Sequence, residues 1–445
     1  MHKEFLMGNA AIALGAIAAG LNLASGYPGT PSTEVLETVA RRRPDNSYVE
    51  WSVNEKAALE VATGASYAGA RTMVTMKQVG LNVASDPLMS LEYIGVKGSM
   101  VIMVADDPGP ISSQTEQDTR HFAAFSKIPC FDPTSVQEAY YMIQDAFEIS
   151  EKYGTPVLFR PTTRICHAYA SIEVKDENEY KANAPEGFIK DSRRWVIFPR
   201  LSNANHRKIE DRNVRLSDAF SEYGRNELLM EMPCFESSGQ MDASRLIETK
   251  NSHTESLQAN AYPQDAITQI KEEHFHAETL QGLASIKDAV ALTGAKKNTP
   301  SLPLKRGIAA GGISYALTRE ALMGKAAPRI LKIATPHPFP EKLALRFLEG
   351  LDEVLCIEEL DPVIERELTY IAGKYHLPVK IRGKLTHDTE NAGENSIDLI
   401  QAYIDKFLGC NICTLNANIV LSENAAETNS AVGGCGERNI CKATA

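Results

Sequence analysis

One carboxylate in this sequence stands at the start of a helix that directly follows an apolar strand. The pattern predicts a strand over 47–51, and small or apolar residues then recur at helical spacing through 58–65. Glu55 therefore falls in the first turn of a helix with a buried face. A helix N-terminus favours an ionised carboxylate, and open α/β sheets bind ligands in the crevice beyond the carboxyl ends of their strands. Glu55 either accepts a hydrogen bond from a ligand N–H or only complements the helix dipole.

Three further turns bring polar groups to the same predicted edge of a sheet. The turn at 26–34 combines Gly and Pro with a Ser/Thr helix cap, and it leaves backbone N–H groups and the Thr30 hydroxyl near the edge. It lacks the lysine and the glycine spacing of a phosphate loop. The turns at 76–82 and 106–110 follow the third and fourth strands. Ordinary turn chemistry is the alternative explanation for each turn.

Helix and strand patterns alternate through the first 160 residues. Nearly unbroken apolar strands that alternate with helices are typical of a parallel sheet covered on both faces. We therefore expect an α/β protein with two doubly wound, mostly parallel sheets. The first domain is predicted over 1–175 and a smaller one over 305–408. A linker with short inserted helices is predicted over 176–304, and an irregular tail that contains cysteines over 409–445.

The individual elements follow from hydrophobic periodicity. In the first domain the predicted helices cover 9–20, 32–42, 54–70, 85–95 and 134–152. The predicted strands there cover 23–27, 47–51, 72–76, 100–104, 128–131 and 156–160. In the second domain the predicted strands cover 306–312, 329–333, 353–357 and 378–382, and the predicted helices cover 314–323, 340–349, 361–374 and 396–407. Glu358, Glu359 and Asp361 follow a strand of the second domain. Their types fit an active site, but we interpret them as a domain or subunit contact.

The bulk composition narrows the classes of partner. The chain has 445 residues with 46 basic and 57 acidic side chains, a net charge of −11, which argues against a nucleic-acid or anionic-membrane surface. The apolar run at 10–24 is interrupted by glycine and asparagine, and no segment reaches the roughly 18 apolar residues of a membrane span. We therefore expect a soluble, cytoplasmic protein with no nucleic-acid or membrane partner.

The eight cysteines form two groups. Four are scattered and read as the reduced thiols of a cytosolic protein: Cys130, Cys166, Cys234 and Cys356. Four crowd the tail: Cys410, Cys413, Cys435 and Cys441. The first tail pair has the C-x2-C spacing of a metal half-site, but the second pair is too open for a usual zinc knuckle, so metal binding and free thiols both stay open there. Three histidines are read as a solvated helix surface rather than as metal ligands: His253, His274 and His276.

Several short segments together resemble one enzyme family. They lie at 26–32, 54–56, 76–82, 307–312 and 357–362. The resemblance is to the thiamine-diphosphate-dependent 2-oxoacid:ferredoxin oxidoreductases, and within them to the alpha subunits of the indolepyruvate enzymes. It covers residues 1–200 and 305–405. It implies a domain that binds the pyrimidine of the cofactor, followed by a domain like the transketolase C-terminal domain.

The resemblance also assigns roles to residues. Glu55 would bind the ring nitrogen of the aminopyrimidine and so favour the imino tautomer, whose exocyclic nitrogen can remove the thiazolium C2 proton. Gly29 and Gln78 would belong to cofactor-binding turns. Thr30 would lie beside the carbonyl or carboxylate of the 2-oxo acid, and Arg120 would pair with that carboxylate.

The family further implies partners that this chain does not contain. A domain that holds Mg²⁺ and the diphosphate, and a tail that binds iron–sulfur clusters, are expected after residue 408, where the sequence departs from the family pattern. We therefore expect a subunit, or a truncated subunit, that works with a beta subunit in a homo- or hetero-oligomer. Such an enzyme would pass electrons to ferredoxin and the acyl group to coenzyme A. The alternatives are a non-catalytic assembly module, and a transketolase-like or 2-oxoacid dehydrogenase component with another acceptor.

Overall fold

The computed structural model describes residues 1–230, 304–323, 325 and 327–409. Strands and helices alternate through both long stretches. Up to residue 230 the elements are β1 (His2–Met7), α1 (Gly8–Ala18), β2 (Leu23–Gly26), α2 (Thr33–Arg42), β3 (Tyr48–Trp51), α3 (Glu55–Tyr67), β4 (Thr72–Lys77), α4 (Gln78–Ile94), β5 (Met100–Ala105), α5 (Arg120–Ser126), β6 (Cys130–Phe131), α6 (Val136–Tyr153), β7 (Val157–Phe159), α7 (Thr163–His167), β8 (Tyr169–Val174), α8 (Ser192–Trp195), α9 (Pro199–Ser221) and β9 (Glu227–Leu229). From residue 304 they are β10 (Arg306–Gly311), α10 (Gly312–Ala321), β11 (Arg329–Ile333), α11 (Glu341–Leu348), β12 (Glu353–Ile357), α12 (Val363–Lys374), β13 (Lys380–Arg382) and α13 (Ile397–Leu408).

The first sheet has six parallel strands in the order β3-β2-β4-β5-β7-β6. Helices cover both faces, and all six residues of the central strand β5 are buried. Val101 and Met103 pack into the core beneath α1, α2 and α6, whereas Ile102 and Val104 pack into the core beneath α3 and α4. This two-sided burial explains the unbroken apolar run of the strand.

The second sheet has five strands in the order β13-β12-β10-β11-β9. Its first four strands are parallel, and β9 pairs with β11 in the antiparallel sense. Both sheets belong to one compact unit. The prediction of an α/β protein with two mostly parallel sheets is therefore confirmed.

The first domain differs from the predicted elements at several points: α5 and α7 were not predicted, and two larger differences follow. β1 and β8 form an antiparallel ribbon that the pattern did not indicate. Helix α4 starts at Gln78 rather than at residue 85. Its first turns contain Gly80 and Asn82, and Pro87 lies inside it; all three are poor helix formers, so periodicity alone hides the start of the helix.

The predicted linker is more ordered than expected between residues 199 and 229. Helix α9 is 23 residues long, not short, and β9 joins the second sheet. Only Ile209, Leu216 and Phe220 form the buried apolar stripe of α9, and so narrow a stripe in a polar segment gives a weak sequence signal. Arg212 of this helix donates to Glu92 in α4 at 2.5 Å, which fastens the segment to the first domain.

Several predicted features lie outside the described residues. These are the rest of the linker with Cys234 and its three histidines, and the cysteines of the tail: Cys410, Cys413, Cys435 and Cys441. Among the described residues, Cys130, Cys166 and Cys356 are buried free thiols. No helix in the described ranges combines the length and the apolar character needed to cross a membrane.

Candidate active site

Glu55 is placed by the turn between β3 and α3. The side chain of Asn54 accepts a hydrogen bond from the backbone N–H of Ala57 at 2.8 Å, which caps the helix and fixes Glu55 as its first residue. The carboxylate therefore lies at the positive end of the α3 dipole and at the carboxyl edge of the first sheet. Glu55 is only 9% exposed.

The Glu55 carboxylate has no hydrogen-bond or ion-pair partner among the residues that the structure describes. It lies instead against the backbone of Gly80 in α4. A Cβ atom at position 80 would lie 2.5 Å from Glu55 Oε1 and 2.8 Å from its Cδ, so only glycine leaves the carboxylate in place. Because an unpaired buried charge is costly, this arrangement leaves a strong acceptor available for a donor from outside the chain.

Gln78 holds the loop that follows β5. Its amide is fully buried, donates to the Thr115 carbonyl at 3.2 Å and accepts from the Ser113 hydroxyl at 3.3 Å. The resemblance implied that Gln78 belongs to a cofactor-binding turn. The structure places it at the start of α4, two residues before the Gly80 that contacts Glu55. Within the described residues its side chain orders a loop over this edge of the sheet.

Asp107 fixes the same loop from its other end. Its carboxylate accepts hydrogen bonds from the backbone N–H groups of Ser112 and Ser113, both at 2.9 Å, and from the Thr163 hydroxyl at 2.7 Å. Burial alone would raise the pKa of Asp107, but these donors outweigh burial and hold the pKa below its ordinary value. The loop is therefore anchored by an ionised carboxylate.

The turn after β2 lies beside these groups. The backbone N–H of Gly29 donates to the Thr33 hydroxyl at 2.9 Å, and the Ser112 hydroxyl donates to the Thr30 carbonyl at 3.2 Å. Thr30 is exposed at this edge of the sheet. The structure thus brings Glu55, Gln78 and the Gly29–Thr30 turn to adjacent strand ends, as the sequence predicted.

The guanidinium group of Arg120 donates hydrogen bonds to other groups of the protein. Its Nη1 donates to Glu358 Oε2 at 2.9 Å and its Nη2 to Asp118 Oδ2 at 2.5 Å. Nη2 also donates to the backbone carbonyls of Glu359 and Asp361 at 2.8 and 2.9 Å. The residue is 2% exposed, so its guanidinium joins the first domain to the second. These contacts match the domain contact that we expected at Glu358, Glu359 and Asp361.

Loss of the Arg120 charge should destabilise the protein. We expect Arg120→Met to lower the free energy of unfolding by about 3–5 kcal/mol, because Asp118 and Glu358 would remain buried without their cation. Arg366→Met is the matched control, since Arg366 is exposed and its side chain has no partner in the described chain. Denaturant unfolding measures both variants. Equal stability of the two would show that Arg120 does not hold the domains together.

A second buried arginine was not singled out from the sequence. Arg160, after β7, donates through Nε to Asp106 at 2.7 Å and through Nη1 to Asp132 at 3.2 Å. Asp132 in turn packs against the start of α10, where its Oδ1 would lie 2.9 Å from a Cβ at Gly312. The only sequence signal was the position of each residue directly after a strand. Arg160 and its two carboxylate partners extend the charged contact between the two sheets.

Glu359 makes this contact sensitive to pH. Burial raises the pKa of Glu359 to about 7 from its ordinary 4.5, and the Asn395 N–H that donates to its carboxylate at 3.0 Å opposes the rise only in part. The folded state therefore favours the protonated acid. The contribution of neutral Glu359 to the free energy of unfolding is complete below pH 4.5 and is lost as the pH rises through about 7.

This pH dependence predicts a measurable difference between variants. Between pH 4.5 and pH 7 the wild type should lose on the order of 3 kcal/mol of unfolding free energy through Glu359, and Glu359→Gln should remove that loss. Glu349→Gln is the control, because Glu349 is exposed. Urea unfolding at both pH values gives the change in unfolding free energy of each variant. If Glu359→Gln and Glu349→Gln show the same change, Glu359 is not the source of the pH dependence.

One group of potential metal ligands occurs among the described residues. Ligand atoms of Asp118, His121 and Asp361 lie within 4.8 Å of one another. Asp118 is already paired with Arg120, and His121 contacts Asp361 at 2.8 Å. The group is therefore part of the domain contact, and nothing else indicates a cation there.

Much of this chain is similar to known proteins. Residues 14–208 match the family model described as pyruvate flavodoxin/ferredoxin oxidoreductase, thiamine diphosphate-binding. The chain is 35% identical over 413 residues to indolepyruvate oxidoreductase subunit IorA of Methanothermobacter thermautotrophicus, across 92% of this chain and 55% of that one. Residues 14–208 therefore belong to this thiamine diphosphate-binding family. The chain is also 36% identical to indolepyruvate oxidoreductase subunit IorA of Pyrococcus abyssi, across 86% of this chain and 49% of that one.

A solved structure shares the fold. The 2-oxoglutarate:ferredoxin oxidoreductase from Magnetococcus marinus, with 2-oxoglutarate, coenzyme A and succinyl-CoA bound, superposes with a TM-score of 0.59 at 16% identity. The match covers 91% of this chain and 65% of that one. This chain spans about half the length of the curated oxidoreductase subunits that it matches.

Proposed function

We propose that this chain supplies the pyrimidine-binding half of the active site of an indolepyruvate or other arylpyruvate:ferredoxin oxidoreductase. The observation that carries the proposal is the Glu55 carboxylate, which is buried at a helix N-terminus, has no partner among the described residues, and faces a glycine at position 80. The match of 14–208 to a thiamine diphosphate-binding family supports the same conclusion.

The residues at this edge fit the cofactor. When bound, thiamine diphosphate supplies a thiazolium carbon that adds to the keto carbon of a 2-oxo acid and a ring that accepts the electrons left by CO₂. Glu55 would accept a hydrogen bond from the protonated ring nitrogen of the aminopyrimidine. The α3 N-terminus stabilises the carboxylate anion that this contact needs. Gly80 leaves the space in which the carboxylate is held.

Neighbouring residues would orient the reactants. Gln78 would hold the 112–115 loop over the site, and Gly29 would keep the β2–α2 turn close to the cofactor. Thr30 would contact the carbonyl or carboxylate of the substrate through its exposed hydroxyl. Arg120 would act at the domain contact rather than on the substrate carboxylate, because every guanidinium nitrogen donates to protein groups.

The rim of the site suggests that another polypeptide segment completes it. Four apolar side chains at this edge are exposed: Tyr27, Trp51, Val53 and Ile111. Exposed apolar groups around a polar cleft are typical of a protein contact surface. A domain that binds Mg²⁺ and the diphosphate, from a partner subunit or a further part of the protein, would cover this rim.

The names of the relatives support the choice of acyl and electron acceptors. Names of indolepyruvate oxidoreductase subunits imply a partner subunit, and the solved neighbour holds coenzyme A. We propose that the assembled enzyme transfers the acyl group to coenzyme A and the electrons, through iron–sulfur clusters outside the described residues, to ferredoxin. The described residues supply binding and orientation.

Dye reduction tests the proposal. The full chain, reconstituted with a beta subunit, thiamine diphosphate, Mg²⁺ and coenzyme A, should reduce a low-potential viologen dye with indolepyruvate and more slowly with pyruvate. No reduction with any 2-oxo acid, despite a stable complex, would favour the non-catalytic assembly module. Reduction of a dehydrogenase acceptor alone would favour the 2-oxoacid dehydrogenase alternative.

A further inference from the structure

Lys77 occupies a central place at the candidate site that the sequence did not assign. It is the last residue of β4 and the residue that precedes α4. Three residues later, Gly80 contacts Glu55. Lys77 therefore lies between the helix that faces the cofactor glutamate and the turn that carries Thr30.

The path of the Lys77 side chain follows from the space at Gly29. A Cβ atom at position 29 would lie 3.2 Å from Cγ, 3.1 Å from Cδ and 3.6 Å from Cε of Lys77. The aliphatic part of the side chain thus crosses the face of Gly29, one residue before Thr30. Packing along the stem leaves the terminal ammonium group free to meet a ligand.

The ammonium group of Lys77 is also uncommitted. The arginines that follow β5 and β7 all donate to carboxylates: Arg120, Arg160 and Arg164. Lys77 is half-buried, and in the described part of the chain its Nζ makes no hydrogen bond or ion pair. A partly buried cation without an anion gains most from a negatively charged ligand.

We propose that Lys77 binds the carboxylate of the 2-oxo acid. This inference rests on the proposed function and adds to it the residue that recognises the acidic end of the substrate. The charge that the resemblance placed on Arg120 would come from Lys77 instead. The Thr30 hydroxyl, beside the lysine stem, would then meet the keto oxygen or the second carboxylate oxygen of the same substrate.

Paired ligands with and without the carboxylate charge test this role. The probes are indole-3-propionate, which has no keto group and cannot react, and its methyl ester. Each is titrated calorimetrically into the full chain in complex with its beta subunit, thiamine diphosphate and Mg²⁺. We expect Lys77→Met to weaken binding of the acid about 10- to 100-fold, the loss of one charge-assisted hydrogen bond, and to change binding of the ester less than about twofold.

Two further variants complete the design. Lys77→Arg should retain most of the affinity for the acid, because it keeps the positive charge. Lys56→Met is the control, since Lys56 lies beside Glu55 but already pairs with Asp86 at 2.7 Å, and it should leave both affinities unchanged. Equal weakening of acid and ester by Lys77→Met would indicate a packing role and overturn the inference, as would unchanged binding of the acid.

The same titrations separate this inference from the proposed function. If the wild-type complex binds the acid through Lys77 but turns over no 2-oxo acid, the proposed function fails and the carboxylate site stands. If turnover occurs and binding of the acid does not depend on Lys77, the carboxylate site fails and the proposed function stands.

Discussion

Glu55→Gln should lower the turnover of the reconstituted complex by about 10²- to 10⁴-fold, the range that a single group in proton transfer contributes. Glutamine fills the same space but cannot hold the negative charge that keeps the ring nitrogen protonated. The reduction of dye with indolepyruvate as the substrate measures the loss. Added thiamine diphosphate should not restore the rate, because the missing charge acts on the bound cofactor.

The thermal stability of Glu55→Gln should not fall with its turnover. Glu55 is a buried carboxylate without a partner in the described chain, so its neutral amide should leave the melting temperature unchanged or raise it slightly. Glu60→Gln is the matched control, because Glu60 lies on the exposed side of the same helix and should keep turnover within about twofold. Similar rates for the two variants would remove Glu55 from the catalytic site.

Gly80→Ala should abolish most of the activity without unfolding the protein. The new methyl group would lie 2.5 Å from Glu55 Oε1 and 2.6 Å from its Cγ, so it must displace the carboxylate. The atoms that it meets belong to one flexible side chain, so the backbone need not move. A misplacement of about 1 Å at a reacting group can cost about 100-fold in rate, and we expect a loss of at least that size.

A second glycine gives a direct control for Gly80. Gly64 lies in α3, and a Cβ atom there would meet nothing within 4 Å. Gly64→Ala should gain up to about 1 kcal/mol from the better helix propensity of alanine, whereas the displacement of Glu55 should offset that gain in Gly80→Ala. Only Gly80→Ala should lose activity. If Gly80→Ala is fully active, the carboxylate does not act from the position seen here.

The sequence was most informative about elements that are buried on two faces. The run at 100–105 predicted a central parallel strand, and β5 is that strand. Glu55 could be found because it opens the helix after the 47–51 strand pattern, although β3 itself is a largely exposed edge strand. The ribbon of β1 and β8 escaped prediction because its exposed residues give no continuous apolar run.

The contacts of the site could not be read from the sequence. Arg120 and Glu358 are 238 positions apart, and only the packing of two domains brings them together. A lone arginine near a strand end fits a substrate contact and a domain contact equally well. For the same reason Lys77 stood out only once its arginine neighbours were seen to be paired and its stem to cross Gly29.

Calorimetric titration of thiamine diphosphate with Mg²⁺ tests the central claim most directly, because it measures the contact of Glu55 with the cofactor before any chemistry. The titration uses the full chain in complex with its beta subunit, as wild type and as Glu55→Gln. We predict saturable binding to the wild type and about 10- to 100-fold weaker binding to the variant, the value of one charge-assisted hydrogen bond. Equal affinity of the two proteins for the cofactor would contradict the account.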